Sequence, residues 1–242
     1  MVSGPNIPAI LSPGSATTVV NNIVTGSYIF QLLVIDSIGL TDVDTVSVLA
    51  KAAIQQTFTA QPANSTTELT MYQTANNGNY SDPASPESAA VAWTSGGGFF
   101  NARGIIKFDL STIPSNSTIV SAKLTLFSNP TPLNGNGINA NFGSNNAMYI
   151  QRITSTWNSA TVWQNQPAAD ATTQISIPHT NLSVLDLVDV DVKDMISAMI
   201  MTNNNYGFML RLQNEVIFNS RIFCSSRYAD AAKRPKLVIV YQ

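Results

Sequence analysis

The chain has 242 residues, enough for a sizeable core and one or two domains, and 44% of them are hydrophobic. Only 11% are charged, against a usual share of about 25%, and the formal net charge is -2. With no basic patch, one cysteine and one histidine, this composition argues against a nucleic-acid partner, an internal disulfide and a cysteine zinc site. Asn, Ser and Thr supply the polarity, as is common in secreted β-proteins. No run approaches the roughly 20 apolar residues of a membrane helix, so no membrane span is expected. Met1 is followed directly by VSGPNIPAI, which is not a signal peptide, so an export signal is expected outside this chain.

Residues 1–53 form a first unit. From Ser27 to Ile35, Tyr28, Phe30, Leu32 and Val34 share one strand face and Ile29, Gln31, Leu33 and Ile35 the other. Both faces are mostly apolar, so cover is expected on both. Asp36-Ser37-Ile38-Gly39 reads as a turn with Gly39 free to take positive φ, and Asp44 to Leu49 as the strand that returns. The pattern Gly26-x-Tyr28-x-Phe30-x-Leu32-x-Val34-x-Asp36-x-x-Gly39, then Asp44-Thr45-Val46-x-Val48, resembles the C-terminal half of a PKD domain. That family is an Ig-like β-sandwich of extracellular proteins, and the Ser3-Gly4-Pro5 start is similar to surface proteins of the Bacteroidetes type. The resemblance implies a partial sandwich with open strand edges, suited to self-association by strand addition.

Residues 51–58 read as a linker into a main domain over 54–242. Residues 74–102 and 134–146 are rich in Gly, Asn, Ser and Pro and are expected to be long surface loops. Between them lie two half-buried strands. Ile106, Phe108 and Leu110 alternate with Lys107 and Asp109, and Val120, Ala122, Leu124 and Leu126 alternate with Ser121, Lys123 and Thr125. Further strands are predicted at 147–153, 173–177, 207–213, 221–225 and 236–241. One helix stands out, with Val192, Met195, Ile196, Met199 and Ile200 on its buried face and Asp191 as its cap. Many short strands with one short helix predict an all-β fold, a jelly-roll-type antiparallel β-sandwich.

Three blocks of residues 54–242 resemble the DNRLRE domain, also described as carbohydrate-binding module family 96. They are Arg103-Gly104-Ile105-Ile106-Lys107-Phe108-Asp109-Leu110, then Thr156-Trp157-Asn158 with Val162-Trp163 and Gln166-Pro167, then Asn205-Tyr206-Gly207-Phe208 through Ser225-Ser226 to Arg234-Pro235-Lys236-Leu237. The resemblance implies a non-catalytic cell-surface or extracellular module for carbohydrate binding and adhesion, with an acidic polysaccharide such as a uronate polymer as partner. Two other roles are a cell-surface fibre subunit and an accessory part of a polysaccharide lyase or hydrolase.

Sugar binding uses aromatic faces for stacking and Asn, Gln, Asp and Arg for hydrogen bonds; acidic sugars add a demand for guanidinium. The candidates are Tyr80, Trp93 and Phe99 in the first long loop, Asn101 and Arg103 at the first family block, and Arg227. Phe100 is an alternative platform or core residue, and Arg103 an alternative ion-pair partner of Asp109 or another acid. Arg152, Arg211, Arg221 and Arg227 are candidates to line one groove. Trp157 and Trp163 are expected in the core, as is Cys224, and His179 in a surface turn. Asp186, Asp189, Asp191 and Asp194 form an acidic cluster without the D-x-D-x-D-G calcium pattern, and helix capping accounts for Asp191 without a metal; a structural calcium is a candidate elsewhere in the sandwich, as in the Asn/Gly loop. No nucleophile elbow, phosphate loop or dinucleotide fingerprint is present. Glu68, Glu87, Glu215 and Asp109 are the carboxylates from which a glycosidase pair would have to come.

Overall fold

A computed structural model describes residues 1–62, 67–75 and 78–242, which fall into two units, Met1–Ile54 and Gln55–Gln242. In the first, β1 (Ala9–Ile10) pairs with β2 (Val20–Asn21), and β3 (Gly26–Ile35) pairs along its whole length with β4 (Thr41–Ala50). The Asp36 carboxylate ties the hairpin turn by accepting from the Ile38 and Leu40 amides, both at 2.9 Å, and Gly39 takes φ 87°. Tyr28 is fully buried, its hydroxyl bonded to the Asn6 side chain and to the backbone of Val24. The expectation of cover on both faces fails beyond this point. Leu32, Leu33, Val34, Ile35 and Val46 are all more than half exposed.

The second unit contains, in chain order, β5 (Gln56–Ala60), β6 (Glu68–Thr74), β7 (Asn79–Asp82), β8 (Glu87–Ser95), β9 (Gly98–Ile106), β10 (Ile119–Leu126), β11 (Asn141–Phe142), β12 (Met148–Ile153), β13 (Ala169–Ile177) and β14 (Leu187–Asp191). After these come α1 (Lys193–Thr202), β15 (Phe208–Leu212), β16 (Asn219–Cys224) and β17 (Lys236–Tyr241). The smaller sheet has the order β14-β10-β17-β5; the larger runs β11-β16-β8-β9-β15-β12-β13, with β6 and β7 added at β9. All pairings are antiparallel.

The large sheet forks at β9. One edge of that strand pairs with β6 in a constant register from Phe100 to Ile106. The other edge pairs with β8 as far as Arg103 and with β15 from Gly104 onward. Paired residues share a face, so the parity of β9 tests how the branches lie. On the β15 branch the core residues Phe208 and Leu210 match Ile106 and Gly104. On the β8 branch the core residues Ala90 and Ala92 match Arg103 and Asn101, of opposite parity. The two branches therefore fold over β9 and face each other. Ala90, Ala92 and Phe223 meet Phe208, Leu210, Leu212, Met148 and Ile150, while Ala122, Leu124, Leu126, Leu237 and Ile239 of the small sheet complete the core. The helix contributes Met195, Ile196, Met199 and Ile200, the face its periodicity predicts. The all-β, antiparallel architecture with one short helix is what the strand pattern predicts; the curl of the forked sheet is added by the structure.

Several local expectations are corrected. The stretch 74–102 is not one loop: within it lie β7, β8 and the start of β9, joined by a turn at Gly96 and Gly97, and residues 76 and 77 fall outside the described residues. Its strand signal is weak because Ser88-Ala89-Ala90-Val91-Ala92 offers almost no contrast between faces. Conversely, β9 ends at Ile106, although Phe108 and Leu110 remain buried. Gly207 takes φ 84° against the Ile106 carbonyl, where a Cβ would collide, so the chain enters β15 only as glycine. The cap of α1 is Val192, one residue later than predicted; Asp191 instead accepts from the Lys193 amide at 3.0 Å and pairs with Lys123 at 2.8 Å. Among the described residues no helix is long and apolar enough to cross a membrane.

Candidate functional site

The outer face of the β8 branch carries a strip of aromatic rings. Tyr80 of β7 stacks on Tyr72 of β6 at 4.9 Å, and Tyr72 stacks on Phe100 of β9 at 5.4 Å. Phe100 lies directly across the ladder from Trp93 of β8. Trp93 in turn receives the edges of Phe142 at 5.4 Å and Phe218 at 5.1 Å. Ala89, Val91, Ala102, Ala140 and Ile222 form the floor beneath. Tyr72 and Phe100 are buried and fix the row. Tyr80 at 48%, Phe142 at 37% and Phe218 at 47% exposure, with half-buried Trp93, present ring surface to solvent. Burial, reinforced by the Glu87 carboxylate, pushes the Tyr72 hydroxyl up to about 12, so this ring stays neutral in the middle of the strip.

The far end of the strip is held under strain. Phe218 has φ 67°, an outlier for a bulky side chain. Gly143, at φ 96°, permits it, since a Cβ there would run into the Phe218 carbonyl. The buried Asn219 side chain locks the turn by accepting from the Asn145 amide at 2.8 Å and donating to the Val216 carbonyl at 2.9 Å. The strain keeps the Phe218 ring on Trp93 and exposed.

A second, polar face lies on the β15 branch. Ser176, Tyr149 and Arg211 sit opposite one another in a row across β13, β12 and β15. Arg103 flanks the row. Its guanidinium makes a two-pronged ion pair with Glu215 at 2.7 and 2.9 Å, donates to Gln166 at 2.6 Å and stacks 4.2 Å above the Trp163 ring. Arg211 has no ion pair among the described residues. Burial lowers its pKa, and the neighbouring Arg103 lowers it further, against the opposing pull of Glu215 and Tyr149. Glu215 is thus engaged by Arg103, and Arg211 lies beside them without a carboxylate of its own among the described residues.

The six residues singled out from the sequence fall in three places. Tyr80 and Trp93 belong to the aromatic strip. Phe99, Asn101 and Arg103 alternate onto the opposite face of β9, where Asn101 donates to Gln73 at 3.5 Å. Arg227 follows β16, near the buried Glu68, with its Nη1 3.5 Å from the Ser226 hydroxyl. Tyr72, Phe142, Phe218 and Tyr149 escaped notice; the exposed apolar run Val216-Ile217-Phe218 after a turn was the available signal.

The groove expected from four arginines does not form. Arg152 pairs with Asp170 at 3.0 Å, Arg221 is buried, and Arg227 lies beyond its strand. Arg103 takes Glu215, not Asp109, because the fold returns the 213–218 loop to β9. The four aspartates also separate: Asp186 accepts from the Ser128 amide and approaches Lys233, while Asp191 pairs with Lys123. Among the described residues no three His, Cys, Asp or Glu side chains converge as metal ligands would. The four carboxylates considered for catalysis have other work: Glu68 holds the Ser226 amide, Glu87 a loop, Glu215 Arg103, and exposed Asp109 the Ser111 amide. His179 is half-buried between Asn146 and Asn181. Trp163 and Cys224 are buried as expected, and Trp157 packs against the same cluster as Trp163.

Comparison with curated proteins finds no match. Comparison with protein families gives a match over residues 55–241, the whole β-sandwich, to carbohydrate-binding module family 96, a class that is usually non-catalytic. Through that match, and with rings and guanidiniums of the kinds that bind sugars already on its surface, the chain belongs to carbohydrate-binding module family 96.

Proposed function

We propose that the protein is a non-catalytic module, acting outside the cell or at its surface, that binds polysaccharide on the aromatic strip running from Tyr80 through Trp93 to Phe218. The observation that carries this reading is the strip itself: three exposed rings and Trp93 in one row, the last held by backbone strain. Pyranose rings present apolar C–H faces that stack on such rings, and a rigid platform binds without an ordering cost. Arg211 beside Arg103 favours an acidic polymer, since one carboxylate leaves guanidinium donors for a sugar carboxylate.

Electrophoresis of the full chain through gels containing neutral or uronate polysaccharides tests both statements. Trp93→Ala is expected to weaken retardation at least about thirtyfold in whichever gel retards the wild type, the usual loss when a central tryptophan anchor is truncated. Arg211→Ala is expected to weaken binding about tenfold in the uronate gel alone, the loss of one charge-assisted hydrogen bond. An unchanged Trp93→Ala protein removes the strip from the site; an unchanged Arg211→Ala protein removes the acidic ligand.

The first unit supports a second reading. Among the described residues the outer edge of β4 has no ladder partner, and the hairpin's apolar side chains are exposed. Its likeness to half of a PKD domain from secreted surface proteins agrees with assembly by strand addition to a second copy. Sedimentation of the full chain is then expected to show association that disappears when residues 1–53 are deleted; an oligomer that survives the deletion is not made by this edge.

A further inference from the structure

Six buried side-chain atoms have no hydrogen-bond partner among the described residues, and four of them lie on one inward face of the β8 branch: Arg221 Nε and Nη2, Asn141 Oδ1 and Ser88 Oγ. The ladders bring Arg221 and Asn141 together. Arg221 lies opposite Ala90 in β8 and Asn141 in β11, whereas Ser88 lies opposite Phe223 and its hydroxyl sits against Gly104 of β9. Arg221 has no solvent exposure, and among the described residues its side chain makes one hydrogen bond, from Nη1 to the Pro178 carbonyl at 3.2 Å. It takes part in no ion pair among the described residues. Burial alone lowers its pKa, to about 10, with no acid nearby to oppose it, and the group still carries its charge at neutral pH.

A guanidinium without a counter-charge in a protein core is expensive, because desolvation is not repaid. Native structures satisfy such groups with a protein partner, water or an ion. Water alone would meet the unpaired N–H groups and leave the charge uncompensated. We propose that the inward face of β16 is a binding site for a small monovalent anion of the halide class, held by Arg221 Nε and Nη2. Asn141 Oδ1, the one obligate acceptor of the set, is met by a water bonded to the same anion.

The site has a structural consequence. Asn141 donates from its amide to the Ser183 carbonyl at 3.0 Å and from Nδ2 to the Leu182 carbonyl at 3.2 Å, and Asn146 Nδ2 donates to the Thr180 carbonyl at 2.9 Å. With Pro178 on Arg221, the 178–183 segment is pinned to this end of the sandwich partly by Arg221 and Asn141, the residues of the proposed site.

Two measurements test the site. Crystals of the full chain grown with sodium bromide and measured at the bromine absorption edge are expected to show an anomalous peak within hydrogen-bonding reach of Arg221 Nε and Nη2. In solution, raising sodium bromide to about 0.2 M is expected to lift the unfolding midpoint of the wild type about 2–4 °C more than that of Arg221→Met, a difference that cancels general salt effects. Without bromide Arg221→Met is expected to be at least as stable as the wild type, since an apolar side chain of similar length removes the uncompensated charge. A water without anomalous signal beside Arg221 overturns the proposal, and so does a wild-type midpoint no more responsive to bromide than the variant's. The crystal measurement stands even if the variant fails to fold.

Discussion

Glu87→Ala is expected to destabilise the 55–242 unit by about 3–5 kcal/mol, the size of effect seen when a buried, fully engaged charge is removed from its partners. Glu87 opens β8 and is 1% exposed. Its carboxylate accepts from Asn129 Nδ2 at 3.0 Å, the Leu133 amide at 2.8 Å and the Asn134 amide at 3.0 Å, and also from Asn134 Nδ2. These donors organise the 129–134 segment, which leads to Ala140 in the floor of the aromatic strip and to Phe142 on Trp93. Alanine leaves all of them without their acceptor, at roughly 1–3 kcal/mol for each that water cannot reach. Glu87→Gln is no rescue: whichever way the amide is turned, its NH2 faces donors. Urea unfolding followed by tryptophan emission reads both consequences, the loss of stability and a changed environment of Trp93. A loss below about 1 kcal/mol would mean that water already shares these hydrogen bonds.

How much of this was legible in the sequence depends on the range of the contact concerned. The strand Ile119–Leu126 is plain because Ala122, Leu124 and Leu126 alternate with polar neighbours, and one face is what the small sheet buries. The face of α1 is plain for the same reason, period 3.6 being local. Strand β8 is hidden because both its faces are buried and small, so alternation carries no contrast. Arg103 shows the limit more sharply. Its sequence neighbour Asp109 was an obvious partner, yet the acid it meets is Glu215, 112 residues away. Trp93 and Tyr80 were visible as aromatics in a polar stretch. Phe142 and Phe218, which complete the row, come from segments far apart in sequence that β11 pairing with β16 brings together. The strain at Phe218 has no sequence signature at all, because the room its carbonyl needs is left by Gly143, distant in the chain.

Glu68→Gln is expected to flatten a fall in stability that the wild type shows between about pH 4.5 and pH 7. Glu68 begins β6 and is 2% exposed. One carboxylate oxygen accepts from the Ser226 amide at 2.7 Å, while the other has no partner among the described residues. Burial raises its pKa from 4.5 to about 7, against the opposing pull of the Ser226 hydrogen bonds and the Arg227 charge. The folded state therefore binds this proton more tightly than the unfolded chain. Below pH 4.5 both states hold it and its contribution is complete. Between 4.5 and 7 the unfolded chain is ionised and the folded one is not, so stability declines; above 7 both are ionised and the loss levels off at about 3 kcal/mol. The depressed carboxyls of Asp109, Asp170 and Asp191 act in the opposite sense, losing stability only as pH falls below the ordinary aspartate range. The two windows do not overlap, and the stability of the unit should peak between them. Arg227→Gln supplies the control: without that charge the Glu68 carboxyl rises further, and the decline should extend to higher pH. Unfolding midpoints at matched ionic strength from pH 4 to pH 8 decide the matter. A Glu68→Gln profile parallel to the wild type's would show that the carboxyl of Glu68 titrates normally and that solvent reaches it.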